Sequence, residues 1–139
     1  MNPSPELCRQ LQDMLAKARR ALTSAQRDLE AGDYDFASSR AYFSAFYAVE
    51  ALLLTQDITC STHSGAISEF GKTFVATELL PRDFGKRIAR LFRERQTGDY
   101  EFGVSISETD AREDLGHAQT MLEAAEDYLV SKGYLPQRE

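Results

Sequence analysis

The stretch from Phe36 to Leu54, FASSRAYFSAFYAVEALLL, constrains this chain more than any other. It is helical in composition yet carries only two charges, Arg40 and Glu50. A surface helix shows polar residues around much of its circumference, so a helix this apolar needs cover on nearly every side. It must be a central helix or an interface helix. Small residues (Ala41, Ser44, Ala45, Ala48) alternate with aromatics (Tyr42, Phe43, Phe46, Tyr47) and leave grooves that neighbouring helices can approach closely.

The same segment is too short and too interrupted to span a bilayer, which takes about 20 predominantly apolar residues. The N-terminus, MNPSPELCRQ, has no basic region leading into an apolar core. No membrane association is expected, and a cytoplasmic location is. Cys8 and Cys60 lie far apart without a CxxC or Cys/His pairing, as free thiols in a reducing compartment would. At 139 residues the chain suits one domain spanning residues 1–139, with a core of its own. A net charge of -6 argues against nonspecific coating of nucleic acid, which relies on neutralising many phosphates, but leaves room for a local basic patch.

Periodicity predicts an all-α, antiparallel up-and-down bundle of about five helices. Leu7, Leu11, Leu15, Ala18, Leu22, Ala25 and Leu29 recur at steps of three and four, marking a long first helix ended by Gly32. Asp33 can cap the second helix, which runs to about Thr55. A shorter third helix fits His63 to about Thr77, and Pro81 suits the first turn of a fourth that ends near Gly98. Ser107 and Asp110 form a capping box for a fifth helix. Its seam of Ala111, Leu115, Ala118, Leu122, Ala125 and Leu129 suits packing along the first. Gly-Asp-Tyr occurs at 32–34 and 98–100, and both copies read as helix-to-helix turns.

Chemistry concentrates in the fourth helix, LPRDFGKRIARLFRERQTGDY. Phe84, Ile88, Leu91 and Arg95 share a face, so Arg95 points inward. Arg82, Lys86, Arg90 and Arg93 form a basic stripe on the opposite face, expected to meet water. Arg95 is either a snorkelling side chain paired with Asp99 or Glu50, or a guanidinium held in a cleft to grip phosphate or carboxylate. His63, opening the third helix, is expected to cap or to hydrogen-bond backbone groups. The aromatics of the second helix are expected in the core. A metal site shared by His63 and His117 has no support in their spacing, and no metal or cofactor is expected.

The order of SSRAYFSAFYAVEALLL, THSGAISEFGKTFV and LFRERQTGDY resembles the HEPN-domain family, in particular its small single-domain bacterial and archaeal branch. The resemblance covers almost the whole chain. It implies an all-α bundle that forms a homodimer through the faces carrying the family motif, often encoded beside a minimal nucleotidyltransferase. Several such proteins are metal-independent ribonucleases, often toxins. Active members carry an Arg, then four to six residues, then a His. Arg95 matches the Arg, but Tyr100 stands in the place of the His. A phenol titrates near 10 and an imidazole near 6.5, so Tyr100 is a poor base at neutral pH.

The resemblance therefore implies a nucleotide- or RNA-phosphate-binding module of a toxin–antitoxin-like system, acting with a minimal nucleotidyltransferase and without strong catalysis of its own. Arg95, Arg40 and Tyr100 are its candidate phosphate-binding residues. A divergent ribonuclease using Arg95, Asp99, Tyr100 or His63 is the enzymatic alternative, and a helical dimerisation adaptor the structural one. Tyr34, Tyr100 and Tyr128 are candidate tyrosines for nucleotidylation by such a partner.

Overall fold

The computed structural model describes residues 3–103 and 106–137, and all statements of absence below refer to these. They form five α-helices: α1 (Pro5–Glu30), α2 (Tyr34–Leu54), α3 (His63–Phe70), α4 (Phe84–Tyr100) and α5 (Glu108–Ser131). No strand occurs among the described residues. The all-α expectation therefore holds.

Helix α2 takes the central position that its composition demands. Helices α1, α4 and α5 all pack against it, and α3 touches it as well. Twelve of its residues are buried, Tyr42, Val49, Leu52 and Leu53 among them. Ser44 lies wholly inside, its hydroxyl donating to the Ala18 carbonyl of α1 at 2.7 Å. That bond satisfies a buried hydroxyl and fixes the register of α2 against α1. The α5 seam from Ala111 to Leu129 is buried as expected, but it packs more extensively on α2 than on α1, because α2 offers apolar surface all round.

The helix ends differ in detail from the sequence expectations. Ser4, Thr62 and Ser107 accept hydrogen bonds from backbone amides in the first turns of α1, α3 and α5. Asp33 occupies the N-cap position of α2 but makes no side-chain cap bond. Pro81 lies outside α4, in a turn where its carbonyl accepts from the Phe84 amide at 3.1 Å. The third helix continues beyond Phe70 as a π-helical turn, Gly71–Val75, that helps bury Phe70 and Phe74. Helix α4 runs two residues past Gly98, so the second Gly-Asp-Tyr is helical rather than a turn. An added Cβ at Gly98 would stand 3.1 Å from the Asp35 carbonyl oxygen, so the glycine permits α4 to cross the start of α2.

The basic stripe on α4 does not face water as a unit. Arg90 turns towards α5 and pairs with Asp110, Glu113 and Asp114 at 3.4, 2.8 and 3.1 Å. Arg82, exposed, pairs with Glu78. Stepping along α4 alone could not reveal that acids on α5 cover part of its charged side.

Candidate functional site

The geometry around Arg95 follows from the close crossing of α4 and α2. Its guanidinium carbon lies 5.7 Å from the Tyr42 ring centroid and 5.2 Å from that of Phe43. Nε donates to Asp99 Oδ2 at 2.9 Å, one helical turn on. The side chain is only 20% exposed. Two aromatic faces and a carboxylate thus fix a planar cation whose remaining N–H groups have no partner among the described residues. Pairing with Asp99 realises one of the two expected partners. Glu50 takes no part.

His63 joins the same aromatic cluster from α3. Its ring stacks on Phe46 at 4.1 Å between centroids, and Nδ1 lies 2.6 Å from the Tyr42 hydroxyl. The expected capping role belongs to Thr62 instead, whose hydroxyl accepts from the Gly65 amide. Burial, reinforced by the charge of Arg95, lowers the pKa of His63 and keeps it neutral. Burial raises that of Tyr42. A fully buried phenol needs an acceptor for its proton. Tyr42 therefore donates to Nδ1, which leaves the imidazole hydrogen on Nε2.

The other singled-out residues stand apart. Tyr100 is 68% exposed at the end of α4. Five residues on from Arg95, at about 100° per residue, it points well away from the guanidinium. Among the described residues it makes no hydrogen bond to Arg95, Asp99 or His63. Tyr34 donates to Glu108 Oε1 at 2.8 Å, and Tyr128 is half-buried against Phe74. His117 lies elsewhere, with Nδ1 2.6 Å from an Arg87 nitrogen. No group of three or more His, Cys, Asp or Glu among the described residues is arranged to hold a metal. No helix among them is long and apolar enough to cross a membrane.

Arg40 lies three residues before Phe43 on the same face of α2, with a 3.8 Å ion pair to Asp28. It lines a groove of about 290 Å³ with Lys17, Arg20, Ser24, Phe43 and Tyr47. That lining carries three cations and no acid. Lys17 Nζ also sits 4.9 Å from the Tyr47 ring centroid. Sequence reasoning passed over Lys17 and Arg20. Their spacing of three beside the α1 seam places them on one flank, but nothing in the sequence says that Arg40 faces that flank.

Of the aromatics expected in the core, Tyr42 and Phe46 are buried, while Phe43 and Tyr47 are only partly so. Those two line the groove wall. The surface therefore combines a fixed guanidinium, a neutral imidazole, a cationic groove and partly open rings. Such a set suits an anionic ligand that also carries planar groups.

Comparison with known proteins places the chain in a family. The HEPN domain model matches residues 11–128. A candidate toxin of Methanocaldococcus jannaschii is 35% identical over 127 residues, covering 91% of this chain and 86% of that protein. A UPF0332 protein of Thermotoga maritima is 34% identical, covering 79% and 83% respectively. The crystal structure of TT1696 from Thermus thermophilus superposes with a TM-score of 0.73 at 25% identity, covering 86% of this chain and 98% of that one. With its five-helix fold and a family match over most of its length, this chain belongs to the HEPN family.

Proposed function

We propose that this chain is a dimerising HEPN module that binds nucleotide or RNA phosphates through Arg95 and Arg40. In this reading it acts with a minimal nucleotidyltransferase in a toxin–antitoxin-type pair, without strong catalysis of its own. The observation that carries the reading is the Arg95 fork, pinned by Tyr42, Phe43 and Asp99 with its outer N–H groups unpaired among the described residues. A preorganised guanidinium binds an oxyanion without the entropy cost of ordering a free side chain. The acid-free groove beside it extends the cationic surface. The similarity to a candidate toxin supports the toxin-like role.

The test is binding of short single-stranded RNA in the presence of a chelator, with electrophoresis of the same samples for cleavage. Intact RNA is expected, with affinity reduced about tenfold or more by Arg95→Ala, as for loss of a charge-assisted hydrogen bond. Equal affinity for wild type and variant would refute the phosphate-binding role of Arg95.

A second reading, a metal-independent ribonuclease, draws on one specific observation. His63 and Arg95 both rest against Tyr42 and Phe43, so an imidazole and a guanidinium share one cluster although the family's His position holds Tyr100. Metal-free cleavage abolished by both Arg95→Ala and His63→Ala would install that reading in place of the first.

A further inference from the structure

Glu50 is the one acid in an otherwise apolar stretch of α2, and it opens onto a second cavity next to the cationic groove. That cavity, about 230 Å³, is walled by Phe43, Phe46, Tyr47, Cys60 and His63, with Glu50, Ser61 and Thr62 as further polar members. Phe43 and Tyr47 also line the groove that holds Lys17, Arg20 and Arg40, so the two spaces share a wall. The Glu50 carboxylate makes no hydrogen bond or ion pair among the described residues. Lys17 acts on it through space only, and burial raises its pKa. A half-buried carboxylate without a partner, set among rings, is costly unless a ligand completes it.

The volume falls below the about 300 Å³ of pockets that enclose a whole ligand, so it suits one planar base with sugar and phosphate outside. An ionised carboxylate only accepts hydrogen bonds, and its two oxygens match two adjacent N–H donors. Guanine presents such a pair at N1 and N2. Adenine and cytosine set an amine beside a ring-nitrogen acceptor, and uracil sets one N–H between two carbonyls, so each turns an acceptor towards a carboxylate oxygen. We infer that this cavity is a guanine-selective base subsite, with Glu50 accepting from N1–H and N2–H and the 5′-phosphate lying towards Lys17, Arg20 and Arg40. The inference rests on the phosphate-binding reading for the position of the phosphate alone.

Calorimetric titration of the full chain with 5′-GMP, 5′-AMP and guanosine tests it. Glu50→Gln serves as the variant, its fold verified by circular dichroism. Wild type should bind 5′-GMP roughly tenfold more tightly than 5′-AMP, the discrimination typical of a bidentate base contact. Glu50→Gln should remove that preference by weakening 5′-GMP alone. Equal affinity for the two nucleotides, or a preference that survives Glu50→Gln, overturns the guanine subsite and leaves phosphate binding standing. Guanosine binding as tightly as 5′-GMP, with the Glu50 effect intact, upholds the subsite and defeats the phosphate reading. Binding of none of the three overturns both.

Discussion

Asp114 shows how a single residue can oppose the fold it helps to join. It is fully buried on α5, accepting from the Ser38 hydroxyl at 2.8 Å and from Arg90 Nε at 3.1 Å. Although burial opposes the charge of Arg90, its contacts with Asp114 and Glu113 hold it more firmly protonated. One guanidinium is shared among three acids, however. For Asp114 burial outweighs the Ser38 and Arg90 contacts and pushes its pKa from 3.8 up to about 6. Between those values the folded chain keeps a proton that the unfolded chain releases. The stability contributed by Asp114 is therefore greatest below pH 4 and falls as pH rises through 6. Asp114→Asn keeps polar partners for Ser38 and Arg90 but does not titrate. The unfolding free energy of wild type relative to this variant should fall by up to about 3 kcal/mol between pH 4 and pH 7. Denaturant unfolding at four pH values measures it, and a pH-independent difference would contradict the assignment. At this scale the inward aim of Arg95 was legible, since Phe84, Ile88 and Leu91 share its face. Arg90 was not, because the acids that turn it inward belong to another helix. Nor was the bond between Tyr42 and His63, residues 21 positions apart whose meeting depends on where the α2–α3 loop returns.

Elements were the most readable level, and their misreadings have local causes. An apolar helix without a wet face had to be central, and α2 is. Seams of Leu and Ala announced α1 and α5. The end of α4 was misplaced because Gly98-Asp99-Tyr100 repeats a tripeptide that does break the chain at Gly32, where φ is +84°. At Gly98 the glycine serves contact instead of conformation. In an exposed helix Gly→Ala would gain about 1 kcal/mol of propensity. Here the neighbour is the Asp35 backbone at 3.1 Å, and two helix axes would have to separate to admit a methyl group. A larger, β-branched side chain exceeds what the crossing can yield. Gly98→Val should destabilise by about 2 kcal/mol, in the range of overpacking, and should also weaken RNA binding, since the same crossing sets Arg95 over Phe43. Thermal unfolding and the binding assay on one preparation decide it. A Tm equal to wild type would show that α4 does not need the close approach.

For the whole molecule, the proposed binding of RNA sets net charge against local charge. The chain carries -6 overall, so its average field repels a polyanion. In the proposed reading, attraction comes from the surface where Lys17, Arg20 and Arg40 line a groove beside Arg95 that has no acid in its lining. Composition left space for such a patch but could not locate it, because its cations come from α1, α2 and α4. Each phosphate contact to a single strand contributes about 0.7 to the slope of log K against log salt concentration. Four contacts therefore predict a slope of about -3 for single-stranded RNA. Arg40→Ala should make it shallower by about 0.7. Arg82→Ala should leave it unchanged, because Arg82 precedes the opposite end of α4, and the helix rises about 16 Å from Phe84 to Arg95 at about 1.5 Å per residue. Fluorescence titrations between 50 and 300 mM salt, roughly the range over which such slopes are resolved, separate these outcomes. If Arg82→Ala and Arg40→Ala shift the slope equally, binding follows diffuse charge over the whole surface, and the groove has no privileged part in it.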